Sequence, residues 1–110
     1  MNLRQARAEQ PAIHTERFAM TAEKMSTRLV ELGHHEEALR LLPDVVEVFR
    51  TLAAERPAEF SRHLASSLAV LVIVLKHLGY ESLEVEREAA AVVDRLGGAE
   101  EVHAVTRRRF

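Results

Sequence analysis

The sequence predicts an all-α chain of stacked antiparallel helical hairpins, about two units in a single domain. Three observations carry that expectation. Shifted by 46 residues the chain lies on itself: Ala8, Glu9, Pro11 and Ala12 fall on Ala54, Glu55, Pro57 and Ala58, while Ala19, Leu29, Leu32, Gly33 and Val46 fall on Ala65, Leu75, Leu78, Gly79 and Val92. Apolar side chains recur at steps of three and four, interrupted by only four glycines and three prolines. Gly33 and Gly79 close equivalent apolar stripes. Self-similarity at such a period marks a supersecondary unit that buries its apolar face by stacking on a neighbour. A scaffold of that kind points to binding before it points to catalysis.

In the first unit, residues 11–56, Phe18, Ala22, Met25, Leu29 and Leu32 form one stripe of a helix. Pro11 breaks the chain before it and Thr15 is placed to cap it. Gly33 can adopt the left-handed conformation that ends a helix, leaving His34 and His35 for the turn. The partner helix runs from about Glu36 to Glu55, with Ala38, Leu39, Leu42, Val45, Val46, Phe49 and Leu52 facing inward. Pro43 falls within it and implies either a kink or two shorter helices, the second opened by Pro43 and Asp44. The second unit, 57–98, follows the same order: Pro57 as breaker, Ser61 as cap, Leu64 to Leu78 as helix, Gly79 as stop, then Leu83 to Leu96. Leu3 to Gln10 aligns with Phe49 to Arg56, so residues 1–10 read as the remnant of a preceding second helix, as in a piece of a longer array. Gly97 and Gly98 are expected to stop the last helix, with the tail 99–110 either a short extra helix or frayed.

Composition narrows the function classes. The chain has 110 residues, enough for one core but not two domains. Fifteen basic against 17 acidic residues create no field for nucleic acid or anionic lipid. The absence of cysteine excludes a disulfide framework and thiolate metal sites. Met1 to Gln5 lack the apolar stretch of a secretory leader, which makes the cytoplasm the expected compartment. The longest unbroken apolar run, Leu68 to Leu75, falls short of the roughly 20 residues of a spanning helix. No membrane partner is expected.

The string Leu32-Gly33-His34-His35-Glu36-Glu37-Ala38-Leu39 resembles the inter-helix signature of the tetratricopeptide repeat family, a Gly followed five positions later by a small Ala where two helices cross closely. Leu29 matches that family's large apolar position one turn before the Gly, Leu42 stands where it has an aromatic, and Ala65 and Ala91 fit its close-packing sites. The connector Arg56 to Ala65 is similar to an extended variety of the repeat found in bacterial regulatory and signalling proteins. The resemblance covers about residues 8–96. In the second unit it departs from the pattern, because Glu84 replaces the close-packing Ala and Glu88 the next apolar position. Unpaired carboxylates do not sit at a helix crossing. The last helix is therefore expected to rotate, burying Leu83, Val85, Ala89, Val92, Val93 and Leu96, and to act as a cap with a polar outer face.

No catalytic constellation is evident: the glycines form no phosphate-binding loop, no serine sits in a nucleophile elbow, and the only aspartates are Asp44 and Asp94. The pairs Glu31 to His34 and Glu100 to His103 have a spacing that can serve di-metal sites, but the first straddles Gly33 and the second lies in the tail. A helical metal-binding protein is thus a remote alternative; no enzyme activity, metal or other cofactor is expected. The resemblance implies a concave groove lined by the first helix of each unit, at Met20, Glu23, Lys24, Thr27, Val30 and Glu31 and at Ser66, Ala69, Val70, Ile73, Lys76 and His77. A basic clamp for a partner's terminal carboxylate is missing, since only Lys24 and Lys76 are cationic there. Instead Ala69, Val70 and Ile73 make the second unit apolar nearly all round, as a helix covered on both sides would be. The expected function is a non-catalytic scaffold or adaptor for a protein or peptide partner. The alternative is a structural homo-oligomer, a dimer formed through the apolar second unit.

Overall fold

The computed structural model describes the backbone of residues 12–109 and the side chains of residues 15–96. Within the described residues four helices follow one another: α1 (Ala12–Glu31), α2 (His35–Glu55), α3 (Pro57–Leu78) and α4 (Leu83–Arg109). Each packs on its neighbour in sequence, and α1 also touches α3, so the fold is all-α, two hairpins stacked through α2 and α3. The remnant helix expected at 1–10 and the breaker Pro11 lie outside the described residues.

The turns repeat as the register implies. Gly33 and Gly79 have φ of 83° and 81°, the left-handed region that glycine enters without a Cβ penalty. At the first turn the His34 N–H donates to the Leu29 carbonyl at 2.8 Å and Gly33 N–H to Val30 at 3.0 Å; at the second, Tyr80 N–H donates to Leu75 at 2.8 Å and Gly79 N–H to Lys76 at 3.1 Å. The same paired bonds satisfy the last carbonyls of both helices.

The helix starts differ from the expected caps. Thr15 and Ser61 both lie inside their helices, and Pro57 opens α3 at its first position instead of standing before it. The reason is local: the first helical N–H has no intrahelical partner, so proline loses nothing there and its fixed φ suits the helix. Arg56 alone links α2 to α3, its N–H donating to Leu52 at 2.8 Å. Its guanidinium pairs with Glu16 and Glu59 and lies 4.7 Å from the centre of the Phe60 ring. Pro43 leaves α2 unbroken, because it sits on the exposed side, where water can take up the carbonyl that loses its bond.

The core is filled by α2 and α3: Ala38, Leu42, Val45, Val46, Phe49 and Leu52 from one, Phe60, Leu64, Leu68, Leu71 and Val74 from the other. α3 has the length and mean hydropathy, 1.5, of a membrane-crossing helix, yet its leucine stripe is committed to this core. On α1 the expected stripe is rotated. Ala19, Ala22 and Ser26 are buried, whereas Phe18, Met25 and Leu32 face outward, the last two more than half exposed. Small side chains let α1 approach its neighbours closely. The positions one period after the outward three turn inward on α3, which packs between α2 and α4: Leu64 and Leu71 are buried and Leu78 is half-buried. Ser26 tolerates burial by donating its hydroxyl to the Ala22 carbonyl at 2.8 Å.

α4 is rotated as the charge pattern demands, but only in part. Val92 is buried and Val85, Ala89 and Leu96 are half-buried, while Leu83, Ala91 and Val93 are exposed. Glu84 stands in solvent. Glu88 reaches across to α2 and takes a two-pronged contact from Arg50, at 2.8 Å on each oxygen. This hydrogen-bonded charge holds the Glu88 carboxyl below the usual carboxylate range and raises the Arg50 guanidinium. Gly97 and Gly98 do not stop the helix, which continues to Arg109. Each glycine costs a helix only about 1 kcal/mol, and Ala99, Glu100, Glu101 and Ala104 are good helix formers that carry it on. Residues 99–109 are therefore a continuation of α4 and not a separate helix.

Candidate functional site

A groove of about 640 Å³ lies between α1 and α3. Helical spacing explains its lining. On α1, Glu23, Lys24, Thr27, Arg28 and Glu31 recur on the side turned to α3; on α3, His63, Ser66, Ala69 and Val70 recur on the side turned back. Ala69 and Val70 provide an apolar floor. Charge and hydroxyls form the walls.

The central contact is between the helices. His63 Nδ1 lies 3.0 Å from Glu23 Oε1. A carboxylate only accepts, so Nδ1 carries the proton and, in the neutral ring, Nε2 is left as an acceptor. The imidazole is held flat against Phe49, centroids 5.2 Å apart and 16° between planes, with Phe60 at 6.2 Å. Core aromatics thus lock the ring that positions Glu23. The second carboxylate oxygen, Glu23 Oε2, is buried and has no hydrogen-bond partner. Leaving a buried acceptor unpaired costs about 1–3 kcal/mol, and more for a charged one. By contrast Lys24 is exposed, where a pairing contributes about 0–1 kcal/mol. Arg28 is already 3.7 Å from Glu31. The strongest unmet electrostatic demand in the groove is therefore the Glu23 carboxylate.

The structure brings Glu23, Lys24, Thr27, Ser66, Ala69 and Val70 together, with Glu31, and separates the other expected positions from them. Met20 and Val30 are half-buried against the core. Ile73, 53% exposed, stands one turn past Val70 and outside the groove lining. Lys76 turns to α4, its Nζ 3.5 Å from Glu86, whose carboxyl is lowered first by the Ser82 hydroxyl, at 2.7 Å, and then by this lysine. His77 belongs to a different, polar cleft of about 340 Å³ at the turn end, stacked on His35 with centroids 3.7 Å apart. The groove therefore ends near Val70, because the last turns of α3 are drawn to α4 and to the His34-His35 turn. His63 was not among the expected groove positions, although one step of three back from Ser66 reaches it.

A carboxylate orienting an imidazole is half of a general base, but among the described residues no hydroxyl hydrogen-bonds to His63: Ser67 donates to the His63 carbonyl instead, at 2.8 Å, and Ser66 makes no such bond. No group of three or more His, Asp or Glu among the described residues is arranged to hold a metal ion. His34 instead lies 3.7 Å from Glu37 across the turn, and Glu31 from the same Glu-x-x-His pair faces Arg28. The chain matches no protein-family model, no curated protein and no solved structure.

Proposed function

We propose that the chain is a non-catalytic protein-interaction module that takes a segment of a partner polypeptide into the groove between α1 and α3. One observation carries the reading: an apolar floor, Ala69 and Val70, lies beside a buried carboxylate oxygen that the protein itself leaves unpaired. Apolar surface and an unmet polar group in one concavity suit a ligand that supplies both complements. The resemblance to tetratricopeptide repeats supports the same use of the same face.

The test is a substitution that fills the groove without touching the core. Ala69→Arg, at an exposed position, is expected to leave the thermal melt unchanged and to abolish retention of partner proteins from a native lysate. Partners retained equally by both forms would overturn the assignment of the groove.

A second reading, self-association through the second unit, is favoured by four large apolar side chains exposed there: Ile73, Tyr80, Leu83 and Val93. It predicts a sedimentation mass above that of the 12.4 kDa chain, returning to monomer in Ile73→Glu.

A further inference from the structure

We infer that the groove between α1 and α3 recognises a lysine side chain of the partner segment, with Glu23 as its counter-charge. The inference rests on the groove being a binding site and adds the chemistry of what enters it.

Four features select this occupant. Glu23 lines the groove, and its Oε2 is buried and unpaired, so its charge is met on one oxygen only. Its other oxygen already accepts from His63, so the two-pronged grip of a guanidinium would have to share that oxygen, whereas an ammonium, a compact point charge, needs only the free one. Beside the carboxylate, Ala69 and Val70 offer an apolar strip for a four-carbon stem, which lysine buries while its head seeks charge. The groove's own cations are weak competitors: Arg28 and Lys24 are both exposed, and Arg28 lies 3.7 Å from Glu31. Thr27 is turned to its own helix, donating to the Glu23 carbonyl at 3.1 Å, which leaves the Ser66 hydroxyl for the main chain of a passing peptide.

Three capped tripeptides separate the possibilities when titrated into the full chain labelled for amide NMR: acetyl-Leu-Lys-Leu-amide, its norleucine analogue and its glutamate analogue. The lysine peptide is expected to shift the amides around Glu23, His63, Ser66 and Val70 in a saturable way, with roughly tenfold higher affinity than the norleucine peptide, the margin of a charge-assisted over a neutral contact. Glu23→Gln, which keeps the shape and an acceptor for His63, should remove that margin while leaving norleucine binding unchanged. Equal binding of lysine and norleucine peptides to the wild type would overturn the lysine inference and leave the groove as an apolar docking site. Preference for the glutamate peptide would overturn it in favour of Lys24 and Arg28. No shift at the groove from any of the three would overturn the binding site itself. Should Glu23→Gln fail to fold, the three-peptide ranking on the wild type still decides.

Discussion

At the base of α2 in the first hairpin stands Ala38, fully buried; 46 residues on, at the base of α4 in the second, stands Glu84 in solvent. Four positions further the pair is Leu42, in the core, against Glu88, drawn to Arg50. The helix before each turn stops in the same way, with the same glycine φ and the same two carbonyl bonds, but α2 begins two residues after its glycine and α4 four. Like helix stops are thus followed by helices that use different faces. Turn chemistry sets where a helix ends, and side-chain polarity sets how its partner is rotated about its own axis.

The most severe challenge to this contrast is to enlarge the side chain at both positions. Ala38→Leu should overpack the first hairpin and destabilise by about 1–3 kcal/mol, whereas Glu84→Leu, extending into solvent, should leave the melt nearly unmoved. Comparable losses at both sites would show that the second hairpin crosses as closely as the first.

The likeness of the turns makes the next prediction symmetrical. Nothing lies within 4 Å of a Cβ added at Gly33 or Gly79, so Ala at either position meets no clash, only the left-handed backbone. Each substitution should cost about 1–2 kcal/mol, by similar amounts in urea unfolding. A large difference between them would show that one turn is held by contacts the other lacks.

A weaker effect is expected from the charge that replaces a core leucine. Glu88 has a lowered folded-state pKa because Arg50 bonds its ionised form. Its contribution is therefore present above the ordinary Glu range, about pH 4.3, and fades as pH falls through the depressed value. Both side chains are partly exposed, 53% and 32%, which keeps the contribution at neutral pH to about 0.5–1 kcal/mol. Glu88→Gln should lose that much at pH 7, and the difference from the wild type should vanish in acid. A difference that persists at low pH would assign the loss to packing.

Helix ends and the α2 stripe were legible because their causes are local. A glycine after an apolar stripe and a step of three or four residues need no knowledge of the rest of the chain. Pro57 misled for the opposite reason, since a proline between helices and a proline at the first helical position read alike until the backbone is traced. The Gly97-Gly98 pair misled too, because a glycine ends a helix only when the residues after it turn away.

The groove was legible as a set of helix faces but not in its extent. Ser66, Ala69 and Val70 share a face with Lys76 and His77 by spacing alone, yet α4 claims Lys76 through Glu86 and the first turn claims His77 through His35. Nor does any spacing connect Glu23 to His63, 40 residues apart. Propensity, glycine freedom and apolar periodicity act along one stretch of chain, and they were enough to specify the helices, their repeat and the places of the turns. Which side of α1 is buried, how much of the α4 stripe is covered, where the groove ends, and that one carboxylate oxygen is left unpaired came only with the assembled fold, because those depend on which neighbours arrive and on how closely they approach.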